Sequence, residues 1–190
     1  MTQLSDLTPE LREKFASVKL LLLDVDGTLT DNMIYLDGKT ERKAFNISDG
    51  MGLGMMMRMG GIKIAFVTGR QSEATAQRAK ELRIKYVFQG PIDKGSTAQK
   101  LAGELGIEPE GMAAMGDDLP DLSLFRVCNL NLAPANAVPE VAADADWISQ
   151  HDGGAGALRE AAELILKAQD KWDGMVEQMR DMSDLRPAKD

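Results

Sequence analysis

The chain is short of what binds nucleic acid, spans membranes or cross-links proteins outside cells. Basic side chains are outnumbered, 22 Lys and Arg against 30 Asp and Glu, for a formal net charge of −8. A nucleic-acid backbone needs an excess of cations along one face, so this balance excludes wrapping one. A small anionic ligand stays open, because local cations and helix N-termini decide its binding. The one cysteine, Cys128, has no partner for an intramolecular disulfide and fits a reducing, cytoplasmic compartment. Within "FRVCNLNLA" it reads as a buried structural thiol. No segment approaches the roughly 18 apolar residues of a membrane helix. Charge alternates through "MTQLSDLTPELREKFASV", unlike a signal peptide. The one histidine, His151, reads as a loop residue without a catalytic role. Internal repeats and low-complexity tracts are also missing.

What is there suits one globular domain. The 190 residues, 44% hydrophobic and 27% charged, are enough for one sizeable core and too few for two. Short apolar runs at 19–23, 62–67, 86–88, 112–115, 129–132 and 147–149 read as strands. Helical patterns fill the intervals, at 51–59, 72–82, 96–105, 118–125 and 137–142, with a last helix at 157–172. That alternation predicts an α/β fold: a parallel sheet with helices on both faces. The stretch "MIYLDGKTERKAFNI" (33–47) breaks it, and its Asp37-Gly38 turn signal predicts a protruding hairpin. Residues 1–18 read as an N-terminal extension, 19–172 as the domain, and 173–190 as a polar, partly disordered tail.

The stretch "KLLLLDVDGTLTD" (19–31) drives an apolar strand into Asp24 and Asp26. Carboxylates at the edge of a core repel each other and are costly to desolvate, so a cation is expected beside them. The polar residues elsewhere fall at predicted strand ends too. "FVTGR" places Thr68 and Arg70, "QGPIDKG" places Lys94, and "MGDDLPD" places Asp117, Asp118 and Asp121. Ligands of open α/β sheets bind outside the carboxyl ends of the strands, so these residues are expected to converge. Asp24 and Asp117 are hard oxygen ligands that suit Mg²⁺, and the ion would draw in a phosphoryl group the acids alone repel. Thr68 and Lys94 would hold the remaining phosphate oxygens.

In this order the residues resemble the haloacid-dehalogenase-type phosphohydrolases, whose four motifs match "DVDGTLT", "VTG", Lys94 and "GDDLPD" over residues 19–167. Within that superfamily the chain is most similar to the 3-deoxy-D-manno-octulosonate 8-phosphate phosphatases and their 9-phosphate nonulosonate relatives. The segments behind this are "KAFNISDGMGL", "VTGRQS", "ANAVPEV" and "GGAGALRE". The resemblance implies a Rossmann-like sheet without a cap domain. It makes Asp24 the nucleophile, Asp26 the general acid and base, and Thr68 and Lys94 the phosphoryl binders. Mg²⁺ would be held by the Asp24 carboxylate, the Asp26 backbone carbonyl and Asp117. Asp49, Gly50, Gly69 and Arg70 match positions near the family's substrate, with Arg70 the candidate for a sugar carboxylate. Ser48 departs from the basic residue that octulosonate members often carry there.

Thr68 follows Asp24 by 44 residues, Lys94 follows Thr68 by 26, and Asp117 follows Lys94 by 23, too little for a cap domain at any point. Capless relatives close the site with a neighbouring subunit, which implies a homotetramer. A signalling receiver domain uses similar residues in another order, and a phosphomutase needs a cap. The activity that the resemblance implies is hydrolysis of an acidic sugar phosphate, and the composition leads us to expect no nucleic-acid or membrane partner. A non-catalytic phosphatase-like module is the alternative from a different class.

Overall fold

Leu20–Leu23 form β1, and all four residues are buried, which is why this strand reads as an unbroken apolar run instead of alternating. The computed structural model describes residues 2–38, 40–90 and 93–181. In it β1 is the centre of a six-stranded sheet, paired in parallel with β4 (Lys63–Thr68) on one side and β6 (Met112–Met115) on the other. β5 (Tyr86–Gln89) lies outside β4, while β7 (Leu130–Ala133) and β8 (Trp147–Ile148) extend the other edge, all parallel. The strand order β5-β4-β1-β6-β7-β8 therefore reverses at β1. That reversal makes the carboxyl end of β1 the place where a crevice opens.

Alternate residues of β1 serve two cores. Leu21 and Leu23 face one with Phe66 and Met115, covered by α1 (Pro9–Ser17), α2 (Ile47–Met55) and α7 (Ala157–Ala168). Leu20 and Leu22 face the other with Ala65, Val67 and Ala114, covered by α4 (Lys94–Leu105), α5 (Leu122–Phe125) and α6 (Pro139–Asp144). Helix α3 (Glu73–Leu82) joins β4 to β5 and gives Ala79 to the first core. The N-terminal segment packs down as well: Phe15 is fully buried against the edge of Trp147, 6.0 Å between ring centres. No helix among the described residues is long and apolar enough to cross a membrane.

Four elements differ most from the expected ones. The hairpin strands are shorter, β2 (Tyr35–Asp37) against β3 (Thr40–Arg42), with Gly38 in the left-handed region at φ +61°. Helix α2 starts at Ile47 rather than 51, because Asn46 caps it by accepting from the Ser48 and Asp49 amides. It ends in a π turn over Met56–Gly60. The long C-terminal helix breaks at Asp170, which takes φ +54°. The chain then continues as α8 (Trp172–Asp181), anchored by the buried Met175, so part of the expected tail is helix. Positions 182–190 of that tail lie outside the described residues. The expected helix over 118–125 is a 3₁₀ turn, Leu119–Asp121, followed by the short α5.

Candidate active site

Four chain segments meet at the tips of β1, β4 and β6. Asp24 leaves β1 with its amide bonded to the Met115 carbonyl at 3.0 Å, and its side chain is buried. The turn after it needs glycine: Gly27 sits at φ +93°, and a Cβ there would come within 2.0 Å of Asp117 Oδ2. The next residue, Thr28, donates its hydroxyl to Asp117 Oδ1 at 2.9 Å, tying the β1 loop to the β6 loop. Lys94 is the first residue of α4, whose N-cap Asp93 accepts from the Ser96 amide. The Lys94 ammonium lies 2.6 Å from both Asp24 Oδ1 and Asp121 Oδ1. Asp121 Oδ2 accepts from the amides of Asp117 and Asp118 at 3.0 and 3.2 Å, so both its oxygens are taken. Thr68, at the end of β4, is buried and accepts from the Arg70 amide at 3.4 Å.

The loop is also clamped from behind. A Cβ on Gly153 would fall 1.7 Å from the Gly27 carbonyl oxygen, and the Gly154 amide donates to the Thr28 carbonyl at 3.1 Å. Only a residue without a side chain lets the segment leading to α7 lie this close to the Asp24–Thr30 loop.

A second set of charges lies on the hairpin side. Lys43, just past β3, reaches Asp26 Oδ1 at 2.6 Å with its side chain fully buried. Arg70 pairs with Glu41 Oε2 at 2.7 Å and comes within 3.8 Å of Asp26 Oδ2. Glu41 Oε1 accepts from the Ser72 hydroxyl at 2.7 Å. That bond, together with the bond from Arg70, holds the Glu41 carboxyl below the usual range.

An open cleft of about 250 Å³ runs between the two sets, lined by Asp24, Asp26, Thr68, Gly69, Arg70, Lys94 and Asp117. Seven of the expected residues are thus brought together. Asp49 and Gly50 are not: they line a separate small cavity with Phe45 and Arg78. Asp49 Oδ1 accepts from the Arg159 amide at the start of α7, and Gly50 leaves room for the Arg78 guanidinium, which a Cβ would meet at 2.4 Å. Their sequence neighbourhood suggests substrate contact, but the early start of α2 turns them inward to pack that helix against α3 and α7.

The charge balance on the Asp24 side is uneven. Burial foremost, and then the charge of Asp121, push the Asp24 carboxyl up to about 7. Burial, reinforced by Asp121 and Asp118 against the bond from Thr28, pushes Asp117 up to about 6. Burial acts to lower the Lys94 pKa, but Asp24 and Asp121 outweigh it and hold the ammonium above its ordinary value. With all three carboxylates ionised, the one ammonium would leave two negative charges in excess. Oxygens of Asp24, Asp117 and Asp121 lie within 4.8 Å of one another, a donor set of hard oxygens that fits a divalent cation. Asp121 is committed to protein donors, whereas Asp24 and Asp117 use Oδ1 toward Lys94 and Thr28 among the described residues. Those two are accordingly the carboxylates placed to take the ion.

Comparison with known proteins agrees with this geometry. Residues 87–159 match the family model described as haloacid dehalogenase-like hydrolase. The 3-deoxy-D-manno-octulosonate 8-phosphate phosphatase of Yersinia pestis is 37% identical over 85% of this chain and 87% of its own. The chain belongs to that phosphatase family of haloacid dehalogenase-like hydrolases. The family member of Escherichia coli K12 is 38% identical over 84% of this chain and 85% of its own. A solved family structure from Moraxella catarrhalis, in complex with magnesium, phosphate and KDO, superposes with a TM-score of 0.87. It is 40% identical, covering 91% of this chain and 99% of that one. The cobalt-bound family phosphatase of Haemophilus influenzae gives a TM-score of 0.80 at 36% identity, covering 84% of this chain and 93% of that one.

One participant escapes a sequence reading, and another is visible there without its role. Asp121 is visible in "GDDLPD", but its role as the second partner of Lys94 depends on a turn that folds it back. Lys43 hides among alternating charges in "KTERKAF". The signal that could have found it is the charge of Asp26, which needs a partner cation, together with the place of Lys43 at the head of "KAFNISDGMGL".

Proposed function

We propose that the chain is a Mg²⁺-dependent phosphatase that hydrolyses 3-deoxy-D-manno-octulosonate 8-phosphate to the free sugar acid and phosphate. The observation carrying this reading is the Asp24–Lys94–Asp121–Asp117 cluster at the sheet's switch point, in a chain 36–40% identical to phosphatases of that substrate. Asp24 is the nucleophile. One Asp24 carboxylate oxygen attacks phosphorus, the phosphorus–sugar oxygen bond breaks, and Asp26 delivers a proton to the leaving sugar oxygen. Water then attacks the aspartyl phosphate, Asp26 takes its proton, and the bond to Asp24 breaks to release phosphate. Lys94 fixes Asp24 and, with the Thr68 hydroxyl, binds the phosphoryl oxygens. Mg²⁺ held by Asp24 and Asp117, with the Asp26 backbone carbonyl, supplies charge compensation for the phosphoryl group. Gly69 lets substrate approach the backbone beside Thr68. Arg70, half exposed at the mouth, receives the sugar carboxylate.

The assembly is a homotetramer in this reading. The hairpin exposes Met33, Tyr35 and Leu36, and α2 exposes Ile47 and Met51, apolar side chains that suit a subunit contact closing the cleft. Residues 1–18 and 173–190 flank a phosphatase domain at 19–172, and the chain works in the cytoplasm, on lipopolysaccharide precursor synthesis. The Cys128 thiol, which burial pushes up to about 12, is unreactive there.

A nonulosonate 9-phosphate is the second substrate reading, favoured by Ser48 in place of a basic residue. Phosphate release with Mg²⁺ from eight- and nine-carbon 2-keto-3-deoxy sugar phosphates, beside hexose phosphates, decides between them. The eight-carbon ester should give the highest kcat/KM, and Asp24→Asn should abolish turnover. Comparable rates on hexose phosphates would sink the substrate assignment. Inertness toward the whole panel would favour a regulatory module.

A further inference from the structure

A lysine on a solvent-exposed hairpin has little reason to be buried. Neighbouring Glu41 is partly exposed and Arg42 is exposed, yet the Lys43 side chain has no accessible surface. Taking an ammonium out of water is costly unless it is paired, so its partners reveal what it is for. Among the described residues it has three: Asp26 Oδ1 at 2.6 Å, Thr75 Oγ1 at 3.4 Å and Glu41 Oε1 at 3.5 Å. Glu41 is already engaged by Ser72 and Arg70. Asp26 is therefore the partner Lys43 holds at contact distance. The other Asp26 oxygen, Oδ2, is buried without a hydrogen-bond partner among the described residues, and Arg70 Nε lies 3.8 Å away on the cleft side.

We propose that Lys43 is the positioning residue for Asp26 and fixes which carboxyl oxygen faces the substrate. This rests on the reading of Asp26 as general acid. With Oδ1 accepting from the ammonium, the proton of the acid form resides on Oδ2. As phosphorus bonds to Asp24 and its bond to the sugar oxygen breaks, that proton moves from Oδ2 to the departing oxygen. The hairpin thereby supplies part of the catalytic geometry within one protomer, separately from any subunit contact.

The test compares kcat/KM of the full chain with Mg²⁺ on the sugar 8-phosphate and on p-nitrophenyl phosphate, whose leaving group needs little proton assistance. Asp26→Asn and Lys43→Met should each lower the sugar ester about 10²-fold and the aryl ester by less than about 5-fold, the signature of lost general-acid help. Lys43→Arg should keep the wild-type ratio between the two esters. Arg42→Gln, exposed on the same strand, should leave both rates unchanged. In the Asp26→Asn background, Lys43→Met should change the sugar ester rate by less than about 2-fold, because a residue acting through Asp26 has nothing left to position. Equal losses on both esters for Lys43→Met, or a multiplied loss in the double variant, would overturn the proposal. If Lys43→Met alone does not fold, the double variant, in which both charges are gone, still decides. A wild-type protein inert on both esters would defeat the proposed function and this inference together. A leaving-group effect in Asp26→Asn that Lys43→Met lacks would defeat the inference alone.

Discussion

Asp24 and Asp26 stand two positions apart and belong to different halves of the molecule. Asp24 answers to Lys94 on α4, inside a nest of two further buried acids, while Asp26 answers to Lys43 from the hairpin, beside the half-exposed Arg70. The first half has one ammonium for three carboxylates and calls for a metal. In the second, two cations face Asp26 and Glu41, so it is balanced by protein charges alone. The same motif thus faces two electrostatic environments, which in the proposed reaction would serve the phosphoryl group and its ion on one side and a proton and the sugar on the other.

Removing each cation tests that division. Lys94→Met should destabilise the metal-free protein by about 3–5 kcal/mol, the range for breaking a buried ion pair, read by urea unfolding. Saturating Mg²⁺ should restore part of the loss; no recovery would argue that the ion does not compensate these acids. Placing a side chain in the loop comes next. Gly27→Ala would put a Cβ 2.0 Å from Asp117 Oδ2 on a left-handed backbone, and should weaken stability and Mg²⁺ binding by about 2–3 kcal/mol. Lys43→Met should destabilise less, about 1–2 kcal/mol, since Asp26 keeps Arg70 and some solvent. If it exceeds Lys94→Met, the contrast between the halves is wrong.

Acidity should act on the first half. Asp24 and Asp117 are raised to about 7 and about 6, above their unfolded value of 3.8, so the metal-free fold holds protons that the unfolded chain has released. Their contribution to stability is complete below 3.8 and fades as pH rises through 6 and 7. Mg²⁺ displaces those protons, so its stabilising shift in Tm should grow from pH 5 to pH 8, by several degrees in a thermal scan with and without the ion. A shift independent of pH would place the ion elsewhere.

Much of this was legible beforehand, for identifiable reasons. β1 is buried on both faces, so its four leucines could not be mistaken, and Asp24, Thr68, Lys94 and Asp117 each follow a strand or open a helix. Features set by long-range contact were not. Lys43 meets Asp26 only because the hairpin folds back over the cleft, and Asp121 meets Lys94 only through a 3₁₀ turn. The packing of Asp49 and Gly50 against α7 and α3 was not legible either, because it depends on the Asn46 cap that starts α2 early. The break at Asp170 depends on one left-handed residue that no periodicity announces.

The glycine seam behind the β1 loop governs what can move. Where main chain rests on main chain, at residues 27–30 against 153–154, there are no rotamers to repack and no slack for the strand tip to swing. One jaw of the cleft is therefore fixed to α7, and admitting a sugar acid or releasing it falls to the opposite jaw, the hairpin with its two cation pairs. Asp24, beside that seam, has no such freedom, whereas the hairpin meets the cleft through side-chain pairs alone.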